Sequence, residues 1–167
     1  MVTTRSNPEV ALTLPSDREI VLTCILRHPP ELIYQAWTQP EHIRNWQGCA
    51  EGEVTSCAVD LREGGAWHYT MRMPDGSEHP FHGVYREIVP SRRLEYTSCY
   101  DMPAFGRPEW IATVVFEPFH NGTRLIHTIL HETKHMRDGH LRSGMENGLA
   151  AGMGRLDDEA ESIGRKS

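Results

Sequence analysis

No stretch of this 167-residue sequence approaches the roughly 20 consecutive apolar residues of a membrane span, so no helical membrane segment is expected. Positive charge is not in excess either. The formal net charge is −6, and without a global basic field neither nucleic acid nor an anionic membrane surface is an expected partner. Cysteine is sparse: Cys24, Cys49, Cys57 and Cys99 form no C-x-x-C pair, and a chain this long buries a core without disulfide staples. Reduced thiols in a cytoplasmic protein are the expectation, with Cys24 and Cys99 as small hydrophobes in strand patterns. The first 16 residues lack the basic start and apolar middle of a signal peptide. Residues 1–17 read as a flexible lead-in and 18–163 as a single domain. No repeat, low-complexity tract, serine elbow, phosphate loop or pair of carboxylates is present, so no catalytic residue, cofactor or metal site is assigned.

What is present is a sequence of local periodicities. Residues 18–27 carry Ile20, Val21, Leu22, Ile25 and Leu26 and predict a strand. Pro29 and Pro30 end it, and Pro30 can open a helix, where its missing N–H costs nothing. Leu32, Ile33, Ala36 and Trp37 then share one helical face. Pro40 interrupts that helix and opens a second short one, residues 40–46, with Ile43 and Trp46 at i, i+3. Residues 53–61, 66–73, 79–89, 94–100, 110–117 and 124–132 read as strands. They are separated by Gly64-Gly65, Pro74-Asp75-Gly76-Ser77, Pro90-Ser91, the loop 102–108 and His120-Asn121-Gly122. The cleanest alternation is Trp67, Tyr69, Met71 and Met73 against His68, Thr70 and Arg72.

Near the C-terminus the period changes. Met145, Leu149, Met153, Leu156 and Ala160 form the stripe of one long helix, with Asp138-Gly139 as a break before it. Gly144, Gly148, Gly152 and Gly154 each cost about 1 kcal/mol against alanine there, and close approach of the helix to a sheet is the expected compensation.

This order of elements resembles the activator of Hsp-90 ATPase homologue-like proteins, within the START/polyketide-cyclase (SRPBCC) superfamily. The resemblance rests on Ala36-Trp37-Thr38-Gln39-Pro40, Trp46 with Gly48, Arg62 with Gly64-Gly65, Asp75-Gly76, Gly83-Val84-Tyr85, Pro90 with Arg93-Leu94, and Gly122-Thr123-Arg124-Leu125, and covers residues 18–162. It implies an α+β helix-grip fold. In that fold a curved antiparallel sheet of about six or seven strands wraps a long C-terminal helix, two short helices follow the first strand, and a hydrophobic cavity lies between sheet and helix. It does not imply one function, since similar proteins carry lipids, bind hormones, cyclise polyketides or regulate chaperones. The chain departs from the family pattern at Leu149, where many relatives carry tryptophan, and in a histidine-rich last strand.

Two motifs carry chemistry. His131-Glu132-Thr133-Lys134-His135 spells H-E-x-x-H, but zinc hydrolysis needs both histidines on one helix face. Here the motif straddles a strand end, where four strand steps would part the rings by about 13 Å. His127, His131, His135 and His140 have no recognised ligand spacing. The second motif is a face shared by several strands. Trp67, Tyr69, Met71, Tyr85, Tyr96, Ser98, Phe116, His127 and Ile129 are the candidate cavity wall on the sheet, beside Gly83, Leu94, Val114 and Leu125. Met145, Leu149 and Met153 close it from the helix, and Trp37 and Trp46 form a rim. Tyrosines and a histidine in a dry core would each need a buried partner, whereas in a pocket they orient a ligand.

The expected function is therefore non-enzymatic binding of a small hydrophobic or aromatic molecule. The alternatives are chaperone ATPase regulation through protein contacts, with a chaperone partner, and a polyketide-cyclase/dehydratase-like enzyme using His127 with Tyr69 or Tyr96. Helix-grip proteins often pair, so a homodimer is also among the expected partners.

Overall fold

Alternating side chains and turn residues fold most of the chain into one sheet. The computed structural model describes residues 7–47, 52–143 and 145–166. Gly48, Cys49 and Gly144 lie outside the described residues. The chain runs through β1 (Val10–Thr13), β2 (Glu19–Leu26), α1 (Pro30–Thr38), α2 (Pro40–Trp46), β3 (Glu53–Val59), β4 (Ala66–Arg72), β5 (Glu78–Val89) and β6 (Arg93–Tyr100). It continues through β7 (Glu109–Phe119), β8 (Gly122–His131), α3 (Lys134–Arg142) and α4 (Leu149–Lys166). Single 3₁₀ turns occupy Pro103–Phe105 and Met145–Gly148.

The strands form one antiparallel sheet in the order β1-β2-β8-β7-β6-β5-β4-β3. β2 pairs with β8 and β3 lies at the far edge, so the α1–α2 segment must carry the chain from one side of the sheet to the other. α4 then packs on α1, α2 and β2. The buried residues of β2 are Ile20, Leu22, Cys24 and Leu26, every second position, so one face of the strand meets the core. In α1, Ile33, Ala36 and Trp37 are buried, the face predicted from their spacing. Gly64 has φ +84° and starts the turn that Tyr85 holds at both sides. Gly64 N–H donates to the Tyr85 carbonyl and Tyr85 N–H to the Gly65 carbonyl.

Three expectations need correction. First, the lead-in contains a strand. Val10–Thr13 pairs with β2, and Val10 and Leu12 pack inward, which makes the sheet eight-stranded. The strand's four residues are too few to show a period.

Second, Asp138 and Gly139 lie inside α3. Thr133 caps that helix by accepting from the Met136 N–H, and Lys134 pairs with Asp138 at 2.7 Å. Buried Arg137 ties α3 to the sheet end by donating to the Ser16 carbonyl at 2.7 Å. The break comes later, and it leaves Met145 in a 3₁₀ turn, outside α4.

Third, the α4 glycines do not bring the helix onto the sheet. A Cβ on Gly148 would meet nothing within 4 Å, one on Gly152 only Arg155 at 3.7 Å, and one on Gly154 the side chain of Asn7. The N-terminal half of α4 meets the sheet through partly buried Leu149 and Met153, and its C-terminal half packs through the buried Leu156, Ala160 and Ile163.

A polar junction holds that packed half. Asp157, 1% exposed, accepts from the Arg27 backbone N–H at 3.0 and 3.2 Å and from Arg27 Nε at 3.0 Å, and lies 2.6 Å from His28 Nδ1. Thr123 Oγ1 donates to the His28 carbonyl at 2.7 Å. The buried carboxylate is thus satisfied by several donors, the condition under which a buried charge is tolerated.

Candidate ligand cavity

Between the sheet and the N-terminal part of α4 lies a cavity of about 620 Å³. β4 supplies Trp67, Tyr69 and Met71, β5 Tyr85, β6 Tyr96 and Ser98, and β8 His127 and Ile129. Trp37 and Trp46 come from α1 and α2, Leu149 and Met153 from α4, and Met145 from the turn before it. The structure thus brings together every candidate wall residue except Phe116. Phe116 is wholly buried, edge-on to Tyr34 and Trp37 with centroids 5.6 and 6.2 Å away, so it supports the wall from behind. Its strand alternation is correct, but α1 covers that end of the sheet.

Several lining residues carried no legible signal. Cys57 and Val59 come from β3, Phe81 from β5, Trp110 from β7 and His140 from α3. Gly148, Gly152 and Arg155 line it from the C-terminal segment. The two glycines contribute volume by having no side chain. Trp110 sits at a strand start and Arg155 on a helix, where no period marks a cavity position.

Aromatic packing shapes the interior. Trp67 stacks on Tyr69 at 5.8 Å and Tyr69 on Phe81 at 5.1 Å. The series continues outward through Tyr100 to Phe105, which is 65% exposed in the 102–108 loop. On the other side Trp37 lies 4.9 Å from Trp46 and 5.5 Å from His127. Such ring pairs add about 0.5–1.5 kcal/mol each beyond their burial. Gly83 leaves room for this wall, because a Cβ there would strike the Thr97 carbonyl and the Trp67 indole nitrogen.

Burial favours the neutral forms of the cavity tyrosines, of Cys57 and of His127. Burial raises the Tyr69 hydroxyl well above the ordinary 10, with smaller contributions from Tyr96 and Cys57. Burial likewise raises Tyr85, with Tyr96, Tyr34 and Cys57 adding to it. Tyr96 is pushed up to about 12 by burial, partly offset by the hydrogen bond that Trp37 Nε1 donates to its oxygen at 3.4 Å. Burial, with a smaller effect of His140, lowers His127 to about 4. Cys57 is raised by burial against the opposing field of Arg44. Among the described residues, His127 Nε2 and Trp67 Nε1 are buried without a hydrogen-bond partner. A buried group left unpaired costs about 1–3 kcal/mol, so such groups call for an explanation.

The histidines of the H-E-x-x-H string separate as the strand end requires. His131 closes β8, while Glu132 and His135 are exposed on the α3 side. His131 Nε2 instead lies 2.9 Å from His140 Nδ1, with Trp110 packed on both rings. Burial holds both histidines at about 4, and for His131 the His140 and Arg137 charges add to the effect. Among the described residues no group of three or more His, Cys, Asp or Glu side chains is placed to hold a metal ion. Nor is any described helix long and apolar enough to cross a membrane.

An eight-stranded antiparallel sheet, a C-terminal helix across it and a cavity between them define a helix-grip protein. Residues 27–161 match the family model described as activator of Hsp90 ATPase homolog 1-like protein, and the chain belongs to that family. Solved structures agree on the fold. A Rhodobacter sphaeroides protein aligns with TM-score 0.84 at 22% identity, covering 92% of this chain and 99% of that one. A Nitrosomonas europaea protein aligns at 0.79 and 23%, covering 91% and 99%. An AHSA1-like protein from Aeromonas hydrophila aligns at 0.67 and 23%, covering 87% and 94%. No protein of curated function matches the chain.

Proposed function

We propose that the chain binds a small hydrophobic or aromatic molecule non-covalently in the cavity between sheet and α4. One observation carries this reading: a hollow of about 620 Å³ whose wall holds His127 Nε2 without a protein partner. Ligand pockets typically span about 300–1,000 Å³, are mostly apolar, and fix orientation with a few convergent polar groups. The aromatic wall supplies area, and His127 with the tyrosine hydroxyls supplies direction. A cytoplasmic setting belongs to the same reading, since Cys24, Cys57 and Cys99 are free thiols.

The alternatives find less support. Acid–base catalysis by His127 calls for a tyrosine hydroxyl bonded to it, and the ring meets the edge of Trp37 instead. Chaperone regulation through protein contacts alone gives no reason for a hollow interior.

The test is a thermal-shift screen of aromatic and lipid-like compounds against wild type, Tyr69→Ala and His127→Ala. A ligand at 100 times its Kd stabilises by about 2.7 kcal/mol, which moves Tm by several degrees in a chain of this size. Stabilisation in wild type that both variants lose supports the reading. A library that shifts nothing, or shifts all three proteins alike, overturns it.

A further inference from the structure

We infer that the cavity selects an amphipathic organic anion, an aromatic or branched acid whose charged group pairs with Arg155 while its body fills the aromatic interior. This rests on the ligand-binding reading above and goes beyond it in naming the ligand class.

Among the described residues no carboxylate lines the cavity. Its tyrosines, its thiol and His127 are all held in their neutral forms by burial. Among the described residues Arg155 is the one lysine or arginine on the wall, and a guanidinium stays charged at any working pH.

Arg155 is also uncommitted. Its Nε donates to the Trp46 carbonyl at 3.1 Å, which fixes the stem at the α2 end of the cavity, and it makes no ion pair among the described residues. The acid one helical turn onward, Glu159, is engaged by His42 at 2.7 Å and Asn45 at 2.9 Å. The terminal nitrogens of Arg155 are therefore left to present a planar donor fork, the geometry that matches a carboxylate or sulfonate.

A second cation supports the sign of the site. The Arg44 guanidinium is close enough to favour the Cys57 thiolate, although burial outweighs it. Arg44 and Arg155 thus both lie at the α2 end of the cavity, in a chain whose net charge is −6.

The geometry then orders the ligand. From Trp46, whose carbonyl anchors Arg155, the wall steps 4.9 Å to Trp37 and 5.5 Å further to His127. A molecule with its acid group at Arg155 lies along these rings, and a polar substituent at its far end reaches the unpartnered Nε2 of His127. The anion at the rim and the hydrogen bond inside select opposite ends of one molecule.

Two fluorescent probes with the same aromatic body separate the terms: 8-anilinonaphthalene-1-sulfonate, which is anionic, and N-phenyl-1-naphthylamine, which is neutral. Both are titrated into wild type, Arg155→Gln and Arg155→Lys, with circular dichroism to establish that each variant is folded. The expected result is about tenfold weaker sulfonate binding to Arg155→Gln, a smaller loss in Arg155→Lys, and neutral-probe binding within twofold throughout. Unchanged sulfonate affinity in Arg155→Gln, or equal weakening of both probes, overturns the anion assignment and leaves the cavity reading standing. Failure of both probes to bind wild type overturns both.

Discussion

Gly152 offers a substitution whose sign depends on whether the interior is hollow. It lies in α4 on the cavity wall, and a Cβ there meets only Arg155 at 3.7 Å, an ordinary contact. Gly152→Ala therefore recovers the helix cost of glycine, about 0.8–1.0 kcal/mol, without strain. Gly152→Leu keeps most of that gain and adds an apolar side chain inside the cavity. Full burial of leucine is worth about 1.5–3 kcal/mol, so half of it offsets the rotamer entropy of about 0.5–1 kcal/mol. The net for leucine is stabilisation by about 1–2 kcal/mol, or roughly 2–8 °C in Tm at this chain length. In a filled core the same leucine would overpack and destabilise by about 1–3 kcal/mol. Urea unfolding of the three proteins reads the difference directly, provided the m-values agree. A leucine variant less stable than wild type beside a stable alanine variant would refute the hollow interior.

Other outcomes follow from the same structure. His127, His131 and His140 titrate at about 4 in the fold against an ordinary 6.5. The unfolded chain thus binds more protons between those values, and stability falls as pH drops from 6.5 towards 4 and levels off below. Urea midpoints from pH 7 to pH 4 should show this slope, with His127→Gln flattening part of it. Asp157→Asn replaces one buried acceptor facing Arg27 and His28 with a donor and should cost about 1–3 kcal/mol by chemical denaturation, with no specific effect on the cavity. Gly83→Ala drives a Cβ into the Thr97 carbonyl and should cost about 1–3 kcal/mol or more, read as a lower Tm.

The sheet was legible wherever a strand ran long enough to alternate. Trp67, Tyr69 and Met71 declare one face by position alone, and that face reaches the cavity. β1 was not legible, because four residues carry no period and its strand character comes from pairing with β2. The Asp157 junction was equally hidden. Its partners lie about 130 positions away in the chain, and no local pattern encodes such a meeting. Phe116 and Tyr85 both sit inward on their strands, yet only Tyr85 lines the cavity. The distinction is made by α1, whose position over β7 is a tertiary fact. The glycines around the start of α4 are legible as a cost to a helix, but the reason for Gly148 and Gly152, that they border open volume, is tertiary. Arg155 is one arginine among many in the sequence, and only the tertiary structure sets it apart, on a wall whose described residues include no carboxylate.

The most direct test of the central claim is the stoichiometry of N-phenyl-1-naphthylamine binding to wild type and to Gly152→Leu, measured by fluorescence titration. The account predicts one saturable site per chain in wild type and its loss in the leucine variant, which remains folded and is at least as stable. Equal binding by both proteins, or binding by neither, would contradict it.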